Sequence, residues 1–589
     1  METSLLQGVL ALTLGGWQRC ERPDVPHYQT WVFDSRATKG EFECGDGRWV
    51  HHWVPNPAFV LGVSEGDELT VTPDINAPRE DPTRIGTDPE EIVVLHHYYP
   101  LLAAAFRRFP STDWVHAAAQ VGVAMQQIRS PEEALADPLL ADARAVITVD
   151  DPELGPLRQV GLAYAMSATP GAVRGPAPVV GAHTAEVLAD HRSPRPPLNN
   201  SEKRQQGGPP LAGVTVVDLG LAVAGPFGTQ VLADLGADVI KVNTLWDGYW
   251  HANHIAFACN RGKRSLSVDL KNPRGRAVLQ RLIERADVVH HNMRYQAAER
   301  LGIDYESLRA AKPELVYCHT RGFEDGPRAA QPGNDQTGAA LAGVTYEDGG
   351  CADGGRPIWS LTSLGDTGNG FLSAIAVIQA LYHRDRTGEG QFVDTSILNA
   401  CLLNSSYAWL RADGTPAERP HLDRDQTGLS ATYRLYETAA GWLCLAAIRD
   451  EHRVALFKCL QLDAPAADDA GLTAQLRAAF ATKPAVEWVE LLDAHGVPAE
   501  VSSDTYALGV FDDPELIQRG WVTSYEQGLV GRLDQYGLLV DFSETPGRIA
   551  GPPLVVGTDS RAILLELGLT DDEADALIDD QVVLQAATP

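Results

Sequence analysis

Between Leu211 and Val242 the apolar positions fall into blocks of different period. Val214–Leu219 is a short β-rich run, Ala222 to Pro226 interrupts it with small residues, Thr229–Leu235 has helical spacing, and Ala237–Val242 is β-rich again. This is a strand–helix–strand unit, and such units build parallel sheets covered by helices. Gly262–Leu270, Ala286–His290 and Leu315–His319 predict further strands, with a helix over Pro273–Arg285 between the first two. The expected fold is α/β, a Rossmann-like doubly wound parallel sheet.

The tract Leu361 to Ile397 places Leu372, Ile375, Ile378 and Leu381 on one stripe of a long helix. Arg384, Arg386 and Gly388 mark its end, as basic residues and glycine commonly do. Phe392 to Ile397 restarts as a strand or a helix edge. Asp366 stands just before the predicted helix, among Gly365, Gly368 and Gly370. An aspartate there can be an N-cap, its carboxylate accepting the free N–H groups of the first turn. The same N–H groups would stabilise a reacting carboxylate or oxyanion, and the glycines would let a bulky ligand approach.

Patterns also recur along the chain. Glu2-Thr3-Ser4-Leu5-Leu6 resembles Asp394-Thr395-Ser396-Ile397-Leu398, and Trp114 precedes Gly122 by eight residues as Trp488 precedes Gly496. Asp137-Pro138 matches Asp513-Pro514, and 37 residues further on Gly175–Gly181 matches Gly551–Gly557. Four matches in one order predict two unequal copies of a domain. The first, residues 1–191, lacks a counterpart of 211–393. A Pro-, Gly- and Asn-rich linker over 192–210 joins them.

Composition narrows the chemistry. Of 589 residues, 44 % are hydrophobic and 21 % charged, enough for large cores, and the net charge is -30. That balance disfavours nucleic acid, which needs a basic footprint, and leaves any anionic ligand to a local cation cluster. Eight scattered cysteines without a C-x-x-C pair argue against a zinc site or disulfide framework. No run reaches ~18 apolar residues, so no membrane span is expected. The N-terminus lacks the basic residues of a secretory leader, which makes the cytoplasm the default. Gly220 and Gly225 do not form a G-x-G-x-x-G fingerprint, and no phosphate-loop, H-E-x-x-H or G-x-S-x-G motif is present.

The tract LGDTGNG…ALYHRDRTGEGQFVDTSI closely resembles the class III coenzyme A (CoA) transferase family, which includes formyl-CoA and carnitine CoA-transferases and α-methylacyl-CoA racemases. GPFGTQVLADLGADVIKV, NRGKRSLSVDLKNPRGRAVLQRLIERADVVHHNMR and ERLGIDYESLRAAKPELVYCHTRGFEDGP agree with it in order across 211–400. The later tail and the first copy are similar to the same family's small domain and return segment. The resemblance implies a large CoA-binding domain at 211–400, a small domain at 401–520 and a returning segment at 521–589. It implies that Asp366 is a nucleophile passing CoA between an acyl-CoA and a carboxylic acid through an anhydride and an aspartyl-CoA thioester. It implies CoA contacts from Ala224, Lys263, Arg264, Asn292, Met293, Arg294, Arg300 and Arg321. CoA would be a substrate, with no permanent cofactor and no metal, and the partner a second copy or a related chain in an interlocked dimer.

Departures from the family pattern qualify these implications. Val223 replaces the glutamine of formyl-CoA transferases, Asn243 a glutamate and Met293 a phenylalanine. Asn334 stands where racemases have a catalytic histidine, and an amide cannot shuttle a proton. His290 and His291 read as strand-end residues. An acyl-CoA racemase or isomerase, and a non-catalytic CoA-binding subunit, are the rival readings. Trp246, Tyr249, Trp250, Trp359 and Trp409 could line an aromatic pocket or belong to ordinary core.

Overall fold

In the computed structural model the described residues are 1–13, 18–25, 40–53, 57–72, 89–189, 208–245, 253–359, 362–503 and 509–587. Trp246, Tyr249, Trp250 and most of the expected linker lie outside them.

The N-terminal segment supplies β1 (Arg19–Cys20), β2 (Glu41–Glu43), β3 (Trp49–His52), β4 (Met125–Gln127), β5 (Val146–Asp151), β6 (Gly155–Val160) and β7 (Tyr164–Met166). The large domain follows with β8 (Thr215–Asp218), β9 (Asp238–Asn243), β10 (Arg264–Val268), β11 (Val288–His291), β12 (Val316–Arg321) and β13 (Phe392–Ser396). After these come β14 (Leu410–Arg411), β15 (Gly428–Ser430), β16 (Tyr433–Glu437), β17 (Trp442–Ala446) and β18 (Ala499–Ser502). The last strands are β19 (Val522–Gln527), β20 (Gly531–Tyr536) and β21 (Val583–Leu584).

The large sheet has the order β21-β10-β9-β8-β11-β12-β13-β7. Its six central strands are parallel, and β21 and β7 close the edges antiparallel. This is the doubly wound order, in which the chain reverses direction between β8 and β11 and leaves a crevice at their carboxyl ends. Alternate strand residues are buried on opposite faces. Val217, Ile240 and Leu266 pack with the helix Pro273–Arg285 and with Ile563 and Leu564 of the C-terminal segment. Val216, Val239, Val316 and Val393 pack with the helices Ala224–Asp234 and Leu364–Thr387. Parallel strands buried on both faces need such continuous apolar runs.

Two local expectations change. The small residues after β8 do not stay a loop, because the helix begins at Ala224. Of the Leu372–Ile375–Ile378–Leu381 stripe the long helix buries Leu372 and Leu381 and packs Ile378 against the core, whereas Ile375 is 46 % exposed. Its buried face also includes Gly370, Ser373, Ala374, Val377 and Ala380, mostly small because the helix Ala224–Asp234 crosses very close. A Cβ on Gly228 would stand 2.8 Å from the Gly370 carbonyl oxygen, and one on Gly370 2.6 Å from the Phe227 ring.

The N-terminal and C-terminal segments carry the same local devices in the same order. Ser4 accepts the Gln7 N–H at the start of the helix Leu5–Leu12, and Ser396 accepts the Asn399 N–H before Ile397–Asn404. The Trp114 indole N–H donates to the Phe106 carbonyl at 3.1 Å, and Trp488 to Phe480 at 2.9 Å. Asp137 and Asp513 each cap a short helix opening with proline. The hairpins β5–β6 and β19–β20 follow. The segments also exchange strands, β1 pairing with β20 and β14 with β6.

Candidate active site

Asp366 is not the N-cap of its helix. Ser363 holds that position without a side-chain cap, and Asp366 lies in the first turn of Leu364–Thr387. The cap comes from another element. Asp335, opening the helix Asp335–Ala342, accepts the Gly365 N–H at 2.6 Å and the Asp366 N–H at 3.0 Å with the same Oδ1. Its Oδ2 accepts the Trp359 indole N–H at 3.2 Å. The remaining N–H groups of the turn are also engaged. Ser363 donates to Leu12 of the N-terminal segment, Leu364 to Thr362 and Thr367 to Ser363. The expectation of free N–H groups awaiting an oxyanion is therefore corrected: Asp335 occupies the two nearest Asp366.

The glycine expectation changes as well. A Cβ on Gly365 would stand 2.6 Å from Asp335 Oδ1 and 2.7 Å from Ile397, and one on Gly368 3.0 Å from Ala400. These glycines admit neighbouring protein, which brings the two acids together.

Asp335 is buried and Asp366 half-buried. Burial and the neighbouring Asp335 hold the Asp366 carboxyl well above the usual carboxylate range. Burial also raises Asp335, against the lowering effect of the Asp366, Trp359 and Gly365 N–H groups and of the His51 ring. Two adjoining carboxyls in a poorly hydrated place resist ionising together. Asn334 caps the helix of Asp335, its Oδ1 accepting the Thr337 N–H at 3.0 Å.

The other singled-out residues divide by environment. Ala224 is buried in the first turn of its helix, beside the reversal point of the sheet. Asn292 grips the backbone of Leu221, its Oδ1 accepting the N–H and its Nδ2 donating to the carbonyl, both at 2.7 Å. The next residue, Ala222, is held at φ 56, left-handed backbone that a non-glycine residue adopts at a cost of ~1 kcal/mol. Met293 packs against the large core, and its carbonyl meets the His319 ring at 2.9 Å. Arg294 and Arg300 are exposed, Arg294 as the N-cap just after β11 and Arg300 in the last turn of the helix Tyr295–Leu301.

Three cations have carboxylate partners. Arg321 pairs with Asp325 at 2.8 Å and Asp394 at 2.7 Å, and Arg264 with Asp238 and Glu566. Lys263 is wholly buried. Its ammonium donates to Asp218, the Pro226 carbonyl, Thr229 and Asn260 at 2.7–2.9 Å. An ammonium has three N–H groups, so four acceptors leave none for a phosphate. Lys263, expected to contact CoA, is thus engaged inside the protein, where with Lys241 it neutralises the buried Asp218.

His290 and His291 are buried on β11, as their strand-end reading implies, and His291 bonds the Tyr317 hydroxyl at 2.7 Å. Trp359 belongs to the acid pair, whereas Trp409 lies under the Arg411 guanidinium. Sequence reasoning missed Asp335, although it adjoins Asn334, and it missed Glu41 and His51 on the neighbouring N-terminal sheet. A cavity of about 590 Å³ lined by Glu347, Arg419, Tyr433 and Arg434 does not include Asp366 among its lining residues. Among the described residues no cluster of histidine, cysteine and acid side chains could hold a metal ion, and no helix is long and apolar enough to cross a membrane.

The model of CoA-transferase family III matches residues 2–184 and 211–560. The chain is 32 % identical over 397 residues to the succinate–glutarate CoA-transferase of Agrobacterium fabrum, covering 61 % of this chain and 96 % of that protein. It is 32 % identical over 384 residues to the human alpha-methylacyl-CoA racemase, covering 63 % of this chain and 97 % of that one. The crystal structure of a CAIB/BAIF family protein from Brucella suis superposes with a TM-score of 0.51 at 28 % identity, over 62 % of this chain and all of that one. With both of its parts matched by the family model, over well more than half of its length, the chain belongs to CoA-transferase family III.

Proposed function

We propose that the protein transfers CoA between an acyl-CoA and a carboxylic acid, with Asp366 as the covalent nucleophile. The carrying observation is the division of labour between two acids. Asp335 has both carboxylate oxygens in hydrogen bonds, whereas no hydrogen bond engages the half-buried carboxyl of Asp366 among the described residues. An Asp366 oxygen attacks the thioester carbon, the C–S bond breaks and CoA leaves as thiolate. The thiolate attacks the aspartyl carbon of the anhydride and releases the donor acid. The acceptor carboxylate then repeats the exchange in reverse, and Asp366 returns as carboxylate with no net proton change. The sequence conserves the thioester's free energy through two acyl exchanges.

Exposed Arg294, just past the carboxyl end of β11, and Arg300 on the helix that follows suit the CoA phosphates. Ala224, Asn292, Met293 and Arg321 line the same edge and are proposed to shape the channel; Arg264 stands further back in its own ion pairs. Dicarboxylic acyl groups are the first donors to try, because succinate and glutarate appear in the name of a 32 % identical relative.

The repeated devices and exchanged strands support a truncated first copy, residues 1–191, that stands where a partner subunit's small domain would cover Asp366. The second copy then comprises the large domain at 211–400, the small domain at 401–520 and the returning segment at 521–589.

The test is mass spectrometry after incubation with succinyl-CoA and trapping with hydroxylamine. The expected result is a modification at Asp366 that is absent in Asp366→Ala. The raised Asp366 carboxyl favours a second reading, proton transfer at the substrate α-carbon. Deuterium entering a 2-methylacyl-CoA from heavy water, with no adduct at Asp366, would establish it instead.

A further inference from the structure

The N-terminal sheet presents a row of polar side chains to the large domain. In the β2–β3–β4 ladder Glu41 lies directly opposite His51, and His51 directly opposite Gln126. Residues opposite one another in a ladder share a face. The row Glu41–His51–Gln126 therefore looks one way, while Phe42 and Val50 look the other way, into the apolar core of the N-terminal segment. The direction of the polar face is fixed by Gln126, whose side-chain amide donates to Gln331 at 2.9 Å, four residues before Asp335. The backbone N–H of Arg129 seals the contact on the carbonyl of Ala340, at the far end of the Asp335 helix.

His51 is 1 % exposed, and its Nδ1 meets Glu41 Oε1 at 3.2 Å. A carboxylate only accepts, so Nδ1 carries the proton and Nε2 presents a lone pair. Nε2 is buried and has no hydrogen-bond partner among the described residues. A buried, unsatisfied imidazole nitrogen on the face packed against the helix that opens with Asp335 calls for an explanation in chemistry.

We propose that His51, oriented by Glu41, accepts the proton of the Asp335–Asp366 pair and so delivers Asp366 as the carboxylate nucleophile; this rests on the transferase reading above. The step balances: the carboxyl O–H bond breaks, an Nε2–H bond forms, and the imidazolium is neutralised by Glu41 behind it and the new carboxylate before it. The proton stays on His51 through both acyl exchanges, which consume and release none. A chain segment outside the nucleophile's own domain thereby controls whether the nucleophile is charged, and the N-terminal segment becomes part of the catalytic unit.

The groups around His51 are few. Glu41 comes from β2, with the Tyr99 hydroxyl on its backbone carbonyl and Arg356 nearby. Asp335, whose charge His51 favours, comes from the opposing helix and is bonded to the backbone of Asp366. His52 is next in the chain, and burial lowers it to about 4, so it stays neutral. On the helix Ser111–Val121 behind β3, Asp113 and His116 are exposed.

The experiment measures kcat and kcat/KM against pH for the full chain with succinyl-CoA and glutarate, and the rate of adduct formation at Asp366. The expected result for His51→Gln is a loss of about 100-fold or more in kcat with KM little changed. Its acid limb should move to higher pH, because Asp366 must lose its proton unaided. Glu41→Gln should give a smaller loss in the same direction, and added imidazole should restore part of the rate to His51→Gly. A purely structural histidine would not move the acid limb or respond to imidazole. Wild-type rates and an unmoved acid limb in a folded His51→Gln would overturn the proposal. If that variant fails to fold, Glu41→Gln decides, with an unchanged profile again overturning it. The covalent reading fails separately: if the wild type forms no adduct at Asp366, both fall, whereas equal adduct rates in wild type and His51→Gln remove the histidine alone.

Discussion

Asp335 Oδ1 accepts the backbone N–H of Asp366 at 3.0 Å, so one acid caps the helix turn that carries the other. The two acids are thus tied together through the backbone of the turn. The Asp366 carboxyl is left outside the bonds that hold its own turn.

This arrangement sets a pH dependence. An unfolded aspartate titrates near ~3.9, and the folded Asp366 titrates well above that. The folded state therefore holds more protons, and wild-type stability falls as pH rises from about 4 toward the folded value. Asp366→Asn should remove that decline and be more stable at pH 7 by on the order of 1 kcal/mol. Urea midpoints from pH 4 to 8 check it, and parallel curves for the two proteins would contradict it.

Asp335→Ala should cost about 2 kcal/mol by uncapping the helix Leu364–Thr387 and freeing the Trp359 indole. Asp335→Asn keeps an acceptor oxygen and should recover most of that loss. Thermal unfolding of both variants measures the difference.

Lys263→Met would leave Asp218 with Lys241 at 3.5 Å as its remaining ammonium. The expected loss is about 3 kcal/mol, because one partner of a buried ion pair is removed. CoA affinity should stay the same in whatever fraction remains folded. A variant as stable as wild type that binds CoA poorly would restore Lys263 to the ligand.

Arg294→Ala and Arg300→Ala should each weaken CoA binding up to about fivefold at low salt, with the effect fading as ionic strength rises. Neither should alter stability, since both side chains are exposed. Calorimetric titration at two salt concentrations is the measurement.

Much of the framework was legible in the chain. The strands around Val216, Val239 and Val316 are apolar on both faces, which a parallel sheet between two helix layers requires. The helix Pro273–Arg285 has its expected bounds because Asn272 caps it and proline occupies its first turn. The single stripe expected on Leu364–Thr387 held at Leu372, Ile378 and Leu381 but not at Ile375, and the buried face extends beyond it for a tertiary reason. Its glycines and alanines are dictated by the crossing helix at Gly228, and no periodicity within one segment carries that information.

The sequence by itself determined which segments alternate between strand and helix, and it marked Asp366 through its neighbours in the LGDTGNG tract. Those are properties of local spacing, carried by side chains that the chain already orders. Only the tertiary structure decided that Asp335 would close the helix start, that Lys263 would vanish into an ion network, and that the sheet carrying His51 would pack on the Asp335 helix. Each of these joins residues tens to hundreds of positions apart, and contacts at that separation are set by how layers pack and which ladder register holds, which no local pattern specifies.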